Sequence, residues 1–269
     1  MTLTPPITPG SAPGTTSSVQ HNSEEHRLVC SEIWGGIGAL DQNVSTRGIR
    51  ASIFSAQAGG GRGGDIHYLS YCSYDMITRI AIADVRGHGE SVTVVSSWVY
   101  DALKAQMNSL AGDRVLSDLN GKVFGRGFEA MTTAAVLTYD SSKSCLHFAY
   151  AGHPPAMFWR PARGWRRLEI LNEQAASNLP LGVRAAAIYE QGHVALMPGD
   201  RIVMFTDGLL EAEDRQGEPF GEERLSRVLG SQSPGPVSAI KDAILDGLLD
   251  YTGDLPWEDD LTVLAAEIL

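Results

Sequence analysis

Alternation of apolar and polar positions dominates the first half of the chain. Residues 49–57 (IRASIFSAQ), 66–73 (IHYLSYCS) and 78–85 (TRIAIADV) read as strands, the last two joined by a short turn around Tyr74 and Asp75. Beyond the RGHGE segment the period changes. Val92, Val95, Val99 and Leu103 recur at helical spacing and predict a helix of about four turns with one buried face. A second helix is expected from about Asp113. Strand patterns return in TTAAVLTY, CLHFAYA, AMFWR and WRRLEIL, with turns at DSSKS and PARG, and again in AIYEQGHVAL and DRIVMFT. Val237, Ile240, Ile244 and Leu248 then predict a helix, and the chain ends in the strand LTVLAAEIL. Hairpins in series with grouped helices predict an α+β fold with antiparallel sheets rather than a doubly wound parallel one.

Residues 1–27 break the pattern. They are rich in Pro, Ser, Thr and Gly with almost no large apolar side chains, so burial cannot offset the entropy of ordering them. A disordered tail is expected there, and a single folded domain over 28–269, without internal repeats. A net charge of -11 argues against nucleic acid or an anionic membrane surface as the main partner. Cys30, Cys72 and Cys145 are odd in number and form no C-x-x-C, so no zinc ribbon or disulfide framework is indicated. With no long apolar run and no signal pattern, a soluble cytoplasmic protein is expected.

Chemistry enters where the strands end. In GGDI (Asp65), IADVRGHG (Asp84), MFTDGLLE (Asp207) and WEDDLTV (Asp259 and Asp260), an Asp stands where an apolar strand meets a glycine-rich or polar turn. One such Asp caps a helix or closes an Asx-turn, and Asp207 suits the N-cap of a short helix. Asp113 and Asp200, in similar surroundings, read as structural. Several carboxylates converging at the rim of an apolar core, however, need a cation, and Mg²⁺ or Mn²⁺ favour such an all-oxygen shell.

The stretch AGGGRGGD before Asp65 admits three readings: a phosphate loop, a linker, or a device that presents one carboxylate. Gly59, Gly61 and Gly64 satisfy G-x-G-x-x-G, but a dinucleotide loop should open a helix, and DIHYLSY reads as a strand. The glycines are expected to let backbone pass close to the site and to allow positive φ around Asp65.

The ordered set GGD, ADVxGHG, AGHPP, LPLG, PGD…TDG and DDxT, running from about Ile49 to Leu269, resembles the SpoIIE-like branch of the metal-dependent (PPM-type) serine/threonine phosphatases. The resemblance implies an α+β fold, a two-layer antiparallel β-sandwich flanked by α-helices, with two Mg²⁺ or Mn²⁺ ions at one edge. It implies that Asp84 bridges both ions, that the Val85 carbonyl adds a ligand, and that Asp65, Asp207 and Asp259 complete the shell, with Asp260 ranked lower. A water shared by the ions would then attack phosphorus, so no Cys or Ser nucleophile is needed.

Three residues carry open readings. Arg86 stands where many relatives have a small residue; it either grips the phosphoryl group or pairs with a local Asp or Glu. His88 is either a general acid or a turn residue that bonds backbone. His153, before two prolines, reads as turn-stabilising rather than metal-binding.

The implied partner is a phosphorylated protein, such as a phosphorylated anti-sigma-factor antagonist in a bacterial partner-switching or stress-signalling circuit. Residues 31–48 are too glycine-rich for the helical linker that joins relatives to a sensor domain, so an activating partner in trans is expected. Two other functions remain: a catalytically silent pseudophosphatase that binds a partner, and a phosphohydrolase of small molecules. The presence of every expected carboxylate favours an enzyme.

Overall fold

The computed structural model describes residues 21–58, 62–74, 76–87, 90–106, 109–170, 178–231, 235–253 and 255–269. Elements are numbered in chain order. One sheet contains β1 (His21–Arg27), β3 (Leu40–Ser45), β4 (Ile49–Ala56), β9 (Met157–Arg160), β10 (Gly164–Arg167), β12 (Arg201–Phe205) and β13 (Leu261–Ile268), in the spatial order β1-β3-β4-β13-β12-β9-β10. The other contains β2 (Glu32–Ile37), β5 (Asp65–Cys72), β6 (Ile77–Val85), β7 (Thr132–Asp140), β8 (Cys145–Ala151) and β11 (Gln191–Ala195), in the order β11-β8-β7-β6-β5-β2. Among the described strand pairs, β1–β3 is parallel and the rest are antiparallel. The helices are α1 (Glu90–Gln106), α2 (Gly112–Arg126), α3 (Asp207–Glu211), α4 (Gly221–Ser231) and α5 (Val237–Thr252).

The two-residue period of a strand assigns each side chain to one of three apolar layers. In β6, Ile80 and Ile82 point between the sheets and pack with Ile53, Leu137, Phe158 and Leu264. The alternate residues Ala81, Ala83 and Val85 point outward and meet Val99 and Leu103 of α1 and Leu116 and Leu119 of α2. On the far side, Leu225 and Leu229 of α4 and Ile240, Ile244 and Leu248 of α5 cover Val203, Val263 and Ala265. The expected α+β sandwich flanked by helices is therefore the observed architecture, and the central strands are apolar on both faces because helices cover both sheets.

Three features depart from the sequence reading. Residues 1–20 lie outside the described residues, but His21–Arg27, expected in the tail, form β1. An edge strand is held by main-chain bonds and needs no large apolar side chain; Glu25 also pairs with Arg50 of β4 at 3.3 Å. The glycine-rich segment 31–48 forms β2 and β3, which enter different sheets. Gly35 belongs there because its φ is +125° and a Cβ would collide with the His67 carbonyl. Third, α4 escaped the reading of the sequence, since only two of its residues, Leu225 and Leu229, are buried apolar anchors. Asp75, placed in the turn before β6, lies outside the described residues. No helix among the described residues is long and apolar enough to cross a membrane.

One buried ion pair ties α5 to the first sheet. The Lys241 side chain is only 1% exposed and its ammonium binds Asp41 of β3 and, at 2.9 Å, Asp242. Removing Asp41 leaves the buried ammonium with the exposed Asp242, whereas removing Lys241 takes the buried charge away. Asp41→Ala should therefore lower the unfolding free energy in urea by about 3 kcal/mol, and Lys241→Met by much less. Equal losses would show that the two side chains contribute only packing.

Candidate metal centre

The register of β5 with β6 sets Asp65 directly opposite Asp84, and opposite residues in an antiparallel ladder point to the same face. That face lies between the sheets, at their end. Asp65 is 1% exposed. Its Oδ2 accepts from Thr262 Oγ1 of β13 at 2.6 Å and from Thr206 Oγ1, just beyond β12, at 2.8 Å. Its Oδ1 is buried with no hydrogen-bond partner. Burial pushes the Asp65 carboxyl well above the usual range, with a further rise from the charge of Asp84.

Asp84 is raised to about 8, first by burial and then by the charges of Asp207, Asp259, Asp260 and Glu211. These acids come from two places. Asp207 opens α3 and Glu211 closes it, while Asp259 and Asp260 precede β13. Glu211 was missed in the sequence, although its spacing of four from Asp207 puts both on one face of a helical turn. Burial raises both carboxyls, and the charges of Asp207 and Asp259 raise Glu211 further. Thr133 was also missed. It lies opposite Asp84 on β7 and its buried Oγ1 has no partner.

Asp207 does not serve as the expected N-cap. Thr206 holds that position, and its hydroxyl is directed to Asp65 rather than to the helix. Asp260 has a different task from its neighbours. Its carboxylate accepts from the backbone of Ala58 at 2.9 Å, of Asp65 at 3.3 Å and of Gly64, clamping the glycine segment against β13. A Cβ on Gly63 would collide with that carboxylate; one on Gly64 would collide with the Val85 carbonyl and lie 3.1 Å from Asp84 Oδ1. The glycines thus serve close approach. Neither Gly63 nor Gly64 uses the positive φ that glycine allows around Asp65, and residues 59–61 lie outside the described residues.

Asp200 is structural, as expected: it is buried and binds Arg160 through two guanidinium nitrogens and the Met197 amide at 2.8 Å. Arg86 is exposed, with its guanidinium carbon 4.6 Å from the Phe128 ring centroid, and forms no ion pair among the described residues. His88 lies outside the described residues. His153 is 5% exposed; its Nδ1 donates to the Pro154 carbonyl at 3.0 Å, and burial lowers its pKa to about 4. A neutral imidazole bonded to the next residue suits the turn-stabilising reading. A cavity of about 400 Å³ beside it includes Arg167 and Asn178; a larger one of about 850 Å³ reaches Glu211 and Asp259.

Among the described residues, no three acid, His or Cys side chains close around one point as they stand. The donor chemistry nevertheless fits a hard divalent cation: carboxylates and the Val85 carbonyl supply oxygen alone. Asp65 Oδ1 has no donor to satisfy it, and the mutual repulsion at Asp84 is what a cation relieves.

Solved structures share the fold. The PP2C domain of SiaA from Pseudomonas aeruginosa superposes with a TM-score of 0.70 at 20% identity, covering 81% of this chain and 85% of that one. The PP2C phosphatase domain and regulatory fragment of SpoIIE from Bacillus subtilis gives 0.68 at 18%, covering 88% and 72%. The fold is that of the PP2C phosphatase domains. The family model for stage II sporulation protein E (SpoIIE) matches residues 75–269, and the chain belongs to that family. Two phosphoserine phosphatases of Bacillus subtilis (strain 168) are similar in sequence: RsbP is 25% identical over 175 residues and RsbU 26% over 191. These matches cover 63% and 69% of this chain, but only 40% and 54% of RsbP and RsbU, so the chain spans about half the length of these relatives.

Without a metal, burial and the neighbouring acids push the Asp84 carboxyl up from its ordinary value of 3.8 to about 8. Stability from its proton is complete below the ordinary value and is lost as pH rises through about 8. In EDTA the melting temperature should therefore fall between about pH 5.5 and pH 8.5. Asp84→Asn should flatten that fall and add about 0.5–2 kcal/mol at the upper end. Excess Mg²⁺ should raise the wild-type melting temperature there, and the variant's less. A melting temperature that ignores the substitution across this range would show that the acids do not repel one another.

Proposed function

We propose that the chain is a metal-dependent protein serine/threonine phosphatase acting in the cytoplasm. Asp65, Asp84, Asp207, Asp259 and the Val85 carbonyl would hold two Mg²⁺ or Mn²⁺ ions. The observation that carries this reading is the Asp65–Asp84 pair at the sandwich end, with Asp207, Asp259 and Glu211 bearing on Asp84. Membership of the SpoIIE family and likeness to two phosphoserine phosphatases support it. When bound, such ions lower the pKa of a shared water and neutralise phosphoryl oxygens.

The chain's own residues supply the rest. Thr206 and Thr262 hold one oxygen of Asp65 and leave the other to the site. Asp260 holds the glycine segment, and with it the start of β5, in place. Arg86, free of local carboxylates among the described residues, grips the phosphoryl group through its guanidinium. The leaving alkoxide takes its proton from His88 or from water in the site.

The substrate is a phosphoserine or phosphothreonine protein. A phosphorylated anti-sigma-factor antagonist in a partner-switching circuit fits the resemblance to RsbP and RsbU, with an activating partner supplied in trans. The complete set of carboxylates favours an enzyme over a silent scaffold.

Phosphate release from a phosphoserine peptide should need Mg²⁺ or Mn²⁺, stop in EDTA, and fall by at least about 100-fold in Asp84→Ala. A folded wild-type protein that releases no phosphate with either metal would point instead to a binding module or to an enzyme that awaits its activating partner. Arg86→Ala should raise KM by about tenfold, the loss expected of a charged hydrogen bond. An unchanged KM would remove Arg86 from the substrate site.

A further inference from the structure

The reading above uses Arg86 but leaves unused two further arginines that, like it, stand near α1 or the start of β7. Arg86 follows Val85 directly, and its amide donates to the Met131 carbonyl at 2.9 Å. Its guanidinium lies over Phe128, a ring that is 60% exposed. At the end of α2, the Arg126 guanidinium lies 4.6 Å from the Trp98 ring of α1. Arg62 is exposed on the glycine segment, which α1 anchors: Thr93 Oγ1 donates to the Arg62 carbonyl at 2.9 Å and Ser96 Oγ to the Gly63 carbonyl at 2.8 Å.

Among the described residues none of these three arginines forms an ion pair, although the chain has 32 acidic residues against 21 Lys and Arg. The acid of the same turn, Glu129, has its carboxyl beside Gly127. An aromatic face beneath a guanidinium limits its motion and leaves its N–H edge open to a planar anion. Exposed aromatic surface beside free positive charge, in a protein of net charge -11, suits an acidic partner.

We infer that Arg62, Arg86 and Arg126, with Phe128 and Trp98 beneath the last two, form a docking strip for an acidic segment of the phosphorylated protein substrate, beside the phosphoresidue. The strip deepens the phosphatase reading and rests on it. Arg86 lies nearest the centre in sequence and serves the phosphoryl group; Arg62 and Arg126 contact the flanking carboxylates. Each exposed pair is worth only about two- to fivefold in affinity, so the selectivity comes from several charges together and weakens with salt.

The test uses the full chain with Mg²⁺ and fluorescent peptides that carry a non-hydrolysable phosphonate in place of phosphoserine, flanked by Asp/Glu or by Lys/Arg. Fluorescence anisotropy should show the acidic peptide bound about tenfold more tightly in dilute buffer, with the margin shrinking in about 0.5 M salt. Arg126→Glu and Arg62→Glu, each checked for folding by circular dichroism, should each reduce or invert the preference. Equal binding of the two peptides, or a preference that neither variant alters, would overturn the strip. Phosphate release from the matching phosphoserine peptides separates the two ideas. Release without any flank preference leaves the phosphatase reading standing and removes the strip. Acid-selective, variant-sensitive binding without release under either metal supports the strip and leaves the chain as a binding module or an enzyme that awaits its activator.

Discussion

An antiparallel ladder brings opposite Cα atoms to within about 4.5–5.5 Å, so the register that sets Asp65 across from Asp84 forces two acids together. Both lie at the end of a sandwich whose interior is apolar, and burial is the first cause of the rise in each carboxyl. Asp65 draws hydroxyls from the opposite sheet, and Thr262 returns its own amide to Thr206 at 2.9 Å. The acid that the fold can least easily leave unsatisfied thus joins the two sheets where they end.

The outer layers determine what surrounds that end. Small residues on the outer face of β6, Ala81 and Ala83, let α1 and α2 pack close. Because Arg86 directly follows β6 and α2 ends shortly before β7, whose Thr132 and Thr133 lie opposite Val85 and Asp84, Arg86, Arg126 and Phe128 are close in sequence to the strand ends that carry the acids. On the other flank, α3 and the segment before β13 bring only carboxylates to Asp84. The charges that act on Asp84 are therefore all negative and come from that one flank, whereas Arg62, Arg86 and Arg126 stand on the glycine segment, just after β6 and at the end of α2.

Legibility followed the source of each element's stability. Strands β4 to β8 and helices α1, α2 and α5 bury regular apolar faces, and their periodicity announces them. Strands β1, β2 and β3 do not: β1 is held by main-chain bonds at a sheet edge, and β2 carries Gly35 for close contact with His67 rather than for its own propensity. The acids at strand ends were legible as a set. The distinct task of Asp260 was not, because a carboxylate that binds backbone amides looks the same in sequence as one that faces an open site. Nor was the use of Thr206 as a donor to Asp65 in place of capping α3.

The order and spacing of the motifs, the alternating strands and the choice of residues at their ends determined the fold class, the family and the set of acids at the strand ends. These are local or ordered properties of the chain. Tertiary structure alone decided which acids act on Asp84, which of their oxygens are already bonded, and which arginines form no ion pair among the described residues. Asp65 lies 197 residues from Thr262 in the chain and yet within hydrogen-bond distance. Contacts of that range follow from register and layer packing, which no local pattern encodes.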